Sequence, residues 1–186
     1  MGVSGGKIML LSLLEKRRSI RKFHNKPVET EKIDKLIEAA LRSPSSRGYD
    51  PWEFVVVTDR ENIRKLSRAK AYGSAFLENA PLCFVILADS RQSDVWVEDA
   101  SIASIIIHLS ASSLGLGSCW IQIRNRAHDD SKTAEAFIQE TLKIPANLSV
   151  ESIVAVGYPA EQKPPHAKSH LKYEKISYNV YGMKKA

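Results

Sequence analysis

Residues 93–120 of the chain read SDVWVEDASIASIIIHLSASSLGLGSCW, and they predict a central helix that leads directly into a strand. Across 93–114, apolar or small residues recur at alternating spacings of three and four, and isoleucines fill the other faces. A helix that is apolar nearly all round is typical of a core position. Gly115 and Gly117 are expected to end it, and 118–124 predicts a strand.

The patterns on either side of this stretch predict a sheet covered by helices. Thr30 and Asp59 are the expected N-caps of two helices, the first of which is stopped by Ser43-Pro44. A helix over 12–18 is expected to turn its leucines toward a core. The remaining predicted elements are a short helix over 74–79, a helix over 131–142, and strands over 52–58, 82–88 and 152–157. Because strands alternate with helices, a layered fold follows.

The small residues of the central helix permit another backbone to approach closely. They are Ala100, Ala103, Ser104, Ala111 and Ser112. Close packing inside one chain explains them, and so does an interface between two copies. The pattern leaves both explanations open.

Composition indicates an ordinary soluble protein. The 186 residues suit one domain, and 44% apolar with 26% charged residues is usual for such a chain. The net charge of +6 permits anionic ligands, including nucleic acid, without requiring them. Cys83 and Cys119 form no CxxC pair and predict reduced thiols. No apolar span is long enough for a membrane helix, so we expect a cytoplasmic protein.

Residues 16–22, Lys-Arg-Arg-Ser-Ile-Arg-Lys, form a basic segment with five cations and one hydroxyl. Arginine presents a planar fork of donors that fits phosphate oxygens, and serine adds a compact donor. The segment could therefore hold a phosphate. A solvated helix end, a localisation signal or a nucleic-acid patch would explain the charge equally well.

Other chemical signals are weak. Gly115-Leu116-Gly117 is no dinucleotide fingerprint, because Trp120 takes the third glycine position and the segment follows a helix rather than a strand. The five histidines show no ligand spacing, so no metal site is predicted, and no GxSxG nucleophile motif occurs. If the chain is an enzyme, a bound cofactor rather than a catalytic side chain is expected to supply the chemistry.

Five motifs taken together resemble the nitroreductase family of flavin enzymes. In order they are RRSIRKF at 17–23, SPSSRG at 43–48 with PWEFVVV at 51–57, EDA at 98–100, LGLGSCWI at 114–121 and VGYPA at 156–160. Their order and spacing hold over about 11–178. The resemblance implies one α+β domain spanning 1–186, in three layers, with a mixed, mainly antiparallel sheet flanked by helices. It also implies an intertwined homodimer with FMN at the subunit interface.

The resemblance also implies site residues. For the phosphate, ribityl chain and pyrimidine edge of FMN they are Arg17, Arg18, Ser19 and Arg21. Those that pack on the flavin from the partner subunit are Pro44, Ser45, Ser46 and Arg47. Backbone N–H groups expected at the flavin N5 and O4 belong to Gln122 and Ile123. Lys168 and His170 are expected to complete the phosphate site.

The chain departs from the family pattern at two positions in this site. Asp50 stands where relatives often carry Asn or Gln before the Pro-Trp pair. It is expected either to repel anionic substrates or to face solvent. His170 stands where an arginine would hold phosphate more firmly.

The activity implied is an FMN-dependent oxidoreductase with ping-pong kinetics. NAD(P)H would reduce the flavin, which would then reduce an electron-poor acceptor such as a nitroaromatic or a quinone. One alternative is a same-fold flavin enzyme for dehalogenation, enoate reduction or flavin fragmentation. Another is a basic module that binds nucleic acid or an acidic partner. The leading hypothesis expects no nucleic acid and no membrane as partners.

Overall fold

The structure, a computed structural model, describes residues 9–185 and forms two compact units. The larger is Arg18–Gln162, and the smaller combines the described residues up to Arg17 with those from Lys163 onward. The helices are α1 Met9–Lys16, α2 Thr30–Leu41, α3 Arg60–Leu66, α4 Trp96–Ser113 and α5 Ala134–Leu142. The strands are β1 Trp52–Val57, β2 Leu82–Asp89, β3 Gly117–Gln122 and β4 Leu148–Gly157. Short 3₁₀ helices occupy Ser46–Gly48, Ala75–Asn79, Lys168–His170 and Tyr173–Lys175.

The four strands form one sheet in the order β1-β2-β4-β3, and every neighbouring pair is antiparallel. A parallel pairing occurs at an isolated bridge between Ser19 and Ser118. The α+β class and the mainly antiparallel sheet predicted from the sequence are confirmed. β2 and β4 lie in the middle, so β1 and β3 are the edge strands.

Helices cover both faces of the sheet. Successive side chains of a strand point to opposite faces, and in β2 both sets are apolar, so both faces pack against helices. One face of β2, with Cys83, Val85 and Leu87, packs in a cluster with residues of α3 and α5. The opposite face, with Phe84 and Ile86, packs with residues of α2 and α4. The result is three layers, with all eight residues of β2 buried between two helical layers.

The β-branched sequence of β1 is typical of a buried strand, but in the structure β1 is a partly exposed edge strand. Only its ends, Trp52 and Val57, are buried, while Phe54 is half-buried and Glu53 is exposed. The β-branched composition predicts a strand correctly, but it does not distinguish an edge strand from a central one.

α4 confirms the predicted central helix. Seven of its residues are buried, including Ala100, Ile107 and Ala111. Ile102 and Ile105 remain 37% and 40% exposed, so one side of this apolar helix is uncovered in the single chain. No helix in the described range 9–185 is long and apolar enough to cross a membrane.

Two sequence expectations about α1 are wrong. The helix ends at Lys16 rather than Arg18. Most of its leucines do not face a core: Leu10, Leu11 and Leu14 are 55%, 58% and 43% exposed, and Leu13 is half-buried.

The two predicted N-caps behave differently. The side chain of Asp59 accepts a hydrogen bond from the backbone N–H of Asn62 at 2.8 Å, as expected of a cap. Thr30 is already the first residue of α2, and Glu29 before it makes no side-chain cap bond. The prediction for Thr30 is therefore off by one residue.

This difference predicts unequal effects of two alanine substitutions on unfolding. Asp59→Ala removes a cap and should lower the free energy of unfolding by about 0.5–2 kcal/mol. Thr30→Ala should change it by less than about 0.5 kcal/mol. Urea denaturation of both variants checks this, and equal losses would contradict the assignment.

Candidate active site

Residues 18–22 of the basic segment lie outside any helix and run beside the start of β3. The backbone N–H of Ile20 donates to the carbonyl of Ser118 at 3.0 Å, within the Ser19–Ser118 bridge. Gly117 permits this contact, because a Cβ there would lie 2.9 Å from the side chain of Ile20. Arg18 and Ser19 are therefore held against the outer edge of the sheet.

The other side of the segment is fixed by the chain that follows β4. The backbone N–H groups of Arg21 and Lys22 both donate to the carboxylate of Glu161, at 2.5 and 3.2 Å. The N–H of Ala160 donates to the carbonyl of Lys22 at 2.9 Å. The guanidinium of Arg21 lies 5.7 Å from the ring centre of Phe76. These backbone bonds leave the positive side chain of Arg21 at the surface.

The predicted serine loop is anchored to α4. The N–H of Ser46 donates to Asp99 Oδ1 at 2.8 Å, and the hydroxyl of Ser93 donates to Oδ2 at 3.1 Å. Asp99 is only 2% exposed. The EDA motif at 98–100 marks this position in the sequence, but it does not indicate the contact with the serine loop.

The same loop contains a reciprocal bond that involves Asp50. The hydroxyl of Ser45 donates to Asp50 Oδ1 at 2.6 Å, and the N–H of Asp50 donates back to the Ser45 oxygen at 2.9 Å. Arg47 and Asp50 adopt positive φ angles of 55° and 46°. Asp50 is exposed, which agrees with the expectation that it faces solvent. Its carboxylate also closes the turn.

The edge of β3 presents backbone groups. Gln122 lies opposite Ser152 in β4, and the next residue, Ile123, donates its N–H to the carbonyl of Glu151 at 3.1 Å. Antiparallel partners alternate between hydrogen-bonded and non-bonded pairs. The backbone N–H of Gln122 therefore points away from β4, to the same outer edge on which Ser118 meets the basic segment.

This alternation separates two residues that were predicted together. Gln122 keeps a backbone donor on the outer edge, whereas the donor of Ile123 is used by β4. The sequence predicted that Ile123 donates its backbone N–H to a ligand, but in this structure β4 already accepts that hydrogen bond. The side chain of Gln122 accepts from Trp120 Nε1 at 3.1 Å and donates to the carbonyl of Arg124 at 3.2 Å.

The smaller unit holds the other predicted phosphate ligands. The N–H of His166 donates to the carbonyl of Glu15 at 2.9 Å, so the segment leading to the 3₁₀ helix Lys168–His170 runs beside the end of α1. Arg17 follows directly after α1, and its N–H donates to the carbonyl of Leu13 at 2.7 Å. Lys168 and His170 are exposed.

Two further chemistry-bearing groups, Cys83 and His108, are buried. Burial raises the pKa of Cys83 to about 12, so its thiol stays protonated. His108 is buried and bonds Ser118 through Nδ1, as expected of a structural histidine. Within 9–185, no three His, Cys, Asp or Glu side chains come together as a metal site would require.

Comparison with known proteins identifies the family of the chain. The model of the nitroreductase family matches residues 14–72 and 66–158. The chain belongs to the nitroreductase family. The structure of an FMN-dependent nitroreductase from Clostridium difficile R20291 superposes with a TM-score of 0.91 at 50% identity, covering 92% of this chain and 100% of that one.

Two sequence relatives extend the comparison. An Archaeoglobus fulgidus protein, named as an NADH dehydrogenase or NAD(P)H nitroreductase, is 38% identical over an alignment of 157 positions, which covers 82% of this chain and 87% of the relative. An FMN reductase [NAD(P)H] from Bacillus subtilis is 26% identical over an alignment of 175 positions, which covers 82% of this chain and 67% of that relative. The family likeness therefore extends along most of the chain.

The anchoring role of Asp99 makes a prediction about stability. Asp99→Ala leaves the Ser46 N–H and the Ser93 hydroxyl without their acceptor, which should cost about 1.5–3 kcal/mol of unfolding free energy. The exposed neighbour Glu98 is the control, and Glu98→Ala should change stability by less than about 0.5 kcal/mol. Urea denaturation of both variants decides, and similar losses would contradict the anchor.

Proposed function

We propose that the chain is an FMN-dependent oxidoreductase that uses NAD(P)H to reduce a small electron-poor acceptor. One observation carries the proposal. The Ser19–Ser118 bridge places phosphate-type donors on the same outer edge of β3 as the free backbone N–H of Gln122. The names of the relatives described above support the same activity.

The donor set of this edge fits FMN. Arginine side chains and a serine hydroxyl suit a phosphate dianion and a polyhydroxyl chain, and Arg18, Ser19 and Arg21 supply them. A flavin ring requires a few fixed uncharged donors along an otherwise apolar surface. The backbone N–H of Gln122 is such a donor, and we assign it to the flavin N5–O4 edge.

Two further sets of residues have proposed roles. Arg17, Lys168 and His170 remain the proposed additional phosphate ligands in the smaller unit. Pro44, Ser45, Ser46 and Arg47 are proposed to pack on the flavin of a second subunit. Their loop is already ordered by Asp99, so little conformational freedom would be lost when it meets a ligand.

A homodimer is part of this proposal. Ile102 and Ile105 are exposed on α4, an otherwise apolar helix. In the smaller unit, Leu171, Ile176 and Val180 are 49%, 51% and 65% exposed. Large apolar side chains that stay exposed in each unit support surfaces that a partner covers.

When bound, FMN supplies the redox chemistry, accepting a hydride from NAD(P)H and passing electrons to an acceptor such as a nitroaromatic or a quinone in ping-pong order. The protein binds and orients the cofactor, and the fixed donor of Gln122 together with the positive side chains favours added negative charge on the ring. No acid or base side chain has to act. We place the reaction in the cytoplasm, where NAD(P)H is available.

Stopped-flow mixing tests the proposed activity. The FMN-loaded protein should lose its flavin absorbance when it is mixed with NADH or NADPH under anaerobic conditions, and recover it after addition of a nitroaromatic or a quinone. A flavin that stays oxidised with both nucleotides would overturn the proposal.

The phosphate assignment predicts weaker cofactor binding in one variant. Arg18→Ala should reduce the binding free energy of FMN by about 1.5–3 kcal/mol, the range for a hydrogen bond to a charged group. Arg42→Ala removes an equal charge from α2, where Arg42 pairs with Glu38, and should leave FMN affinity unchanged. Quenching of flavin fluorescence measures both. Equal affinities of the two variants would remove Arg18 from the site.

A further inference from the structure

Glu151 occupies a β-bulge in β4. The pairing with β2 shifts at this point, since Ile86 lies opposite Ser152 and Leu87 lies opposite Val150. Glu151 is thus the extra residue. A bulge redirects a side chain out of the regular alternation, and bulges are frequent next to active sites.

The backbone of Glu151 fixes the end of β3. Its carbonyl accepts from the N–H of Ile123 at 3.1 Å and from the N–H of Arg124 at 3.0 Å. Both donors come directly after Gln122, the residue whose own N–H faces the outer edge. The carbonyl of Glu151 therefore anchors the chain directly after Gln122.

The carboxyl of Glu151 is buried with an incomplete set of partners. The residue is 3% exposed, and Oε1 accepts from the hydroxyl of Ser101 on α4 at 3.4 Å. Oε2 is buried and has no hydrogen-bond partner in the described chain. Leaving a charged oxygen buried and unpaired is costly, whereas an uncharged acid tolerates the site better.

The charged groups that face this carboxyl are Arg124 and Glu98. Burial raises the pKa of Glu151 above its ordinary value of 4.5, and the repulsion of Glu98 acts in the same direction. The side chains of Gln122, Arg124 and Ser101 lower it, and burial outweighs them. The carboxyl therefore holds its proton to a higher pH than an ordinary glutamate.

We propose that Glu151 is a positioning residue, which holds the Gln122 end of β3 in its binding geometry while protonated and weakens FMN binding when it ionises. This inference rests on the proposed function, because Gln122 is assigned there to the flavin edge. Ionisation would attract the amide of Gln122 away from the carbonyl of Arg124. It would also place a negative charge beside the proposed flavin N5–O4 edge, whose nitrogen and oxygen are hydrogen-bond acceptors with partial negative charge.

FMN titration across pH tests the role. Flavin fluorescence gives the Kd from about pH 4 to about pH 9 for the wild type, for Glu151→Gln and for the control Glu53→Gln. Glu53 is exposed on β1, at the opposite edge of the sheet. The Kd of the wild type should rise relative to that of E151Q by about threefold or more across this range, and E53Q should follow the wild type. Titration of the FMN phosphate is common to all three and cancels in the ratios.

A second variant leaves the carboxyl in place. Ser101→Ala removes a donor that lowers the pKa of Glu151, so the inflection in the Kd curve should move to higher pH. Unfolding of the cofactor-free proteins gives a matching readout. Because folding raises this pKa, the wild type should lose stability relative to E151Q as the pH rises above about 4.5.

The outcomes are distinct. Parallel Kd curves for the wild type and E151Q, with no shift in S101A, would overturn the role of Glu151 while leaving the proposed function intact. A wild-type protein that takes up no FMN at any pH would overturn the proposed function, and this inference with it.

Discussion

The hydrogen bond from Ile20 to Ser118, on the outer edge of β3, is the contact on which the site depends. β4 uses every second residue of β3 for its own ladder, so the intervening backbone groups must face outward. The basic segment satisfies the first of these groups at Ser118. Gln122 lies further along the same edge, and a polar ligand that follows the segment would reach its N–H. The basic segment and the outward-facing backbone groups of β3 thus lie along the same edge of the sheet.

α4 connects this edge to the rest of the molecule. Although the helix is largely apolar, three of its polar side chains reach the sheet. Ser101 bonds Glu151, Ser104 bonds Ser152 at 2.9 Å, and His108 bonds Ser118. Their spacing of three and four residues places them on one helical face, directed at β3 and β4. Near its N-terminal end, Asp99 holds the serine loop. The helix therefore fixes both the loop and the strand of the candidate site.

Much of this architecture could be predicted from the sequence. Strong periodicity gave α2, α4, β2 and β3 with ends close to those observed, and the order of motifs gave the family. Local pattern failed where tertiary partners decide the outcome. The leucines of α1 look like a core face, yet most of them are exposed, and the edge position of β1 depends on strand order rather than composition. Ile123 and Gln122 look equivalent in sequence, but register gives them opposite directions.

The polar contacts of the site were the least predictable part. Asp99 and Glu151 are ordinary acids in the sequence, and only long-range packing buries them beside Ser46 and Gln122. The bulge has no reliable sequence signal here, because the strand predicted from the apolar run at 152–157 begins only after Glu151. Such residues become visible only when the three layers bring α4 against the sheet.

The measurement that tests the central claim most directly is an absorption spectrum of the purified protein, followed by heat release of the chromophore and its identification by chromatography. Flavin absorption bands and released FMN are the predicted result. A colourless protein that also fails to take up added FMN would contradict the account, and the basic segment would then have to be explained by its other interpretations.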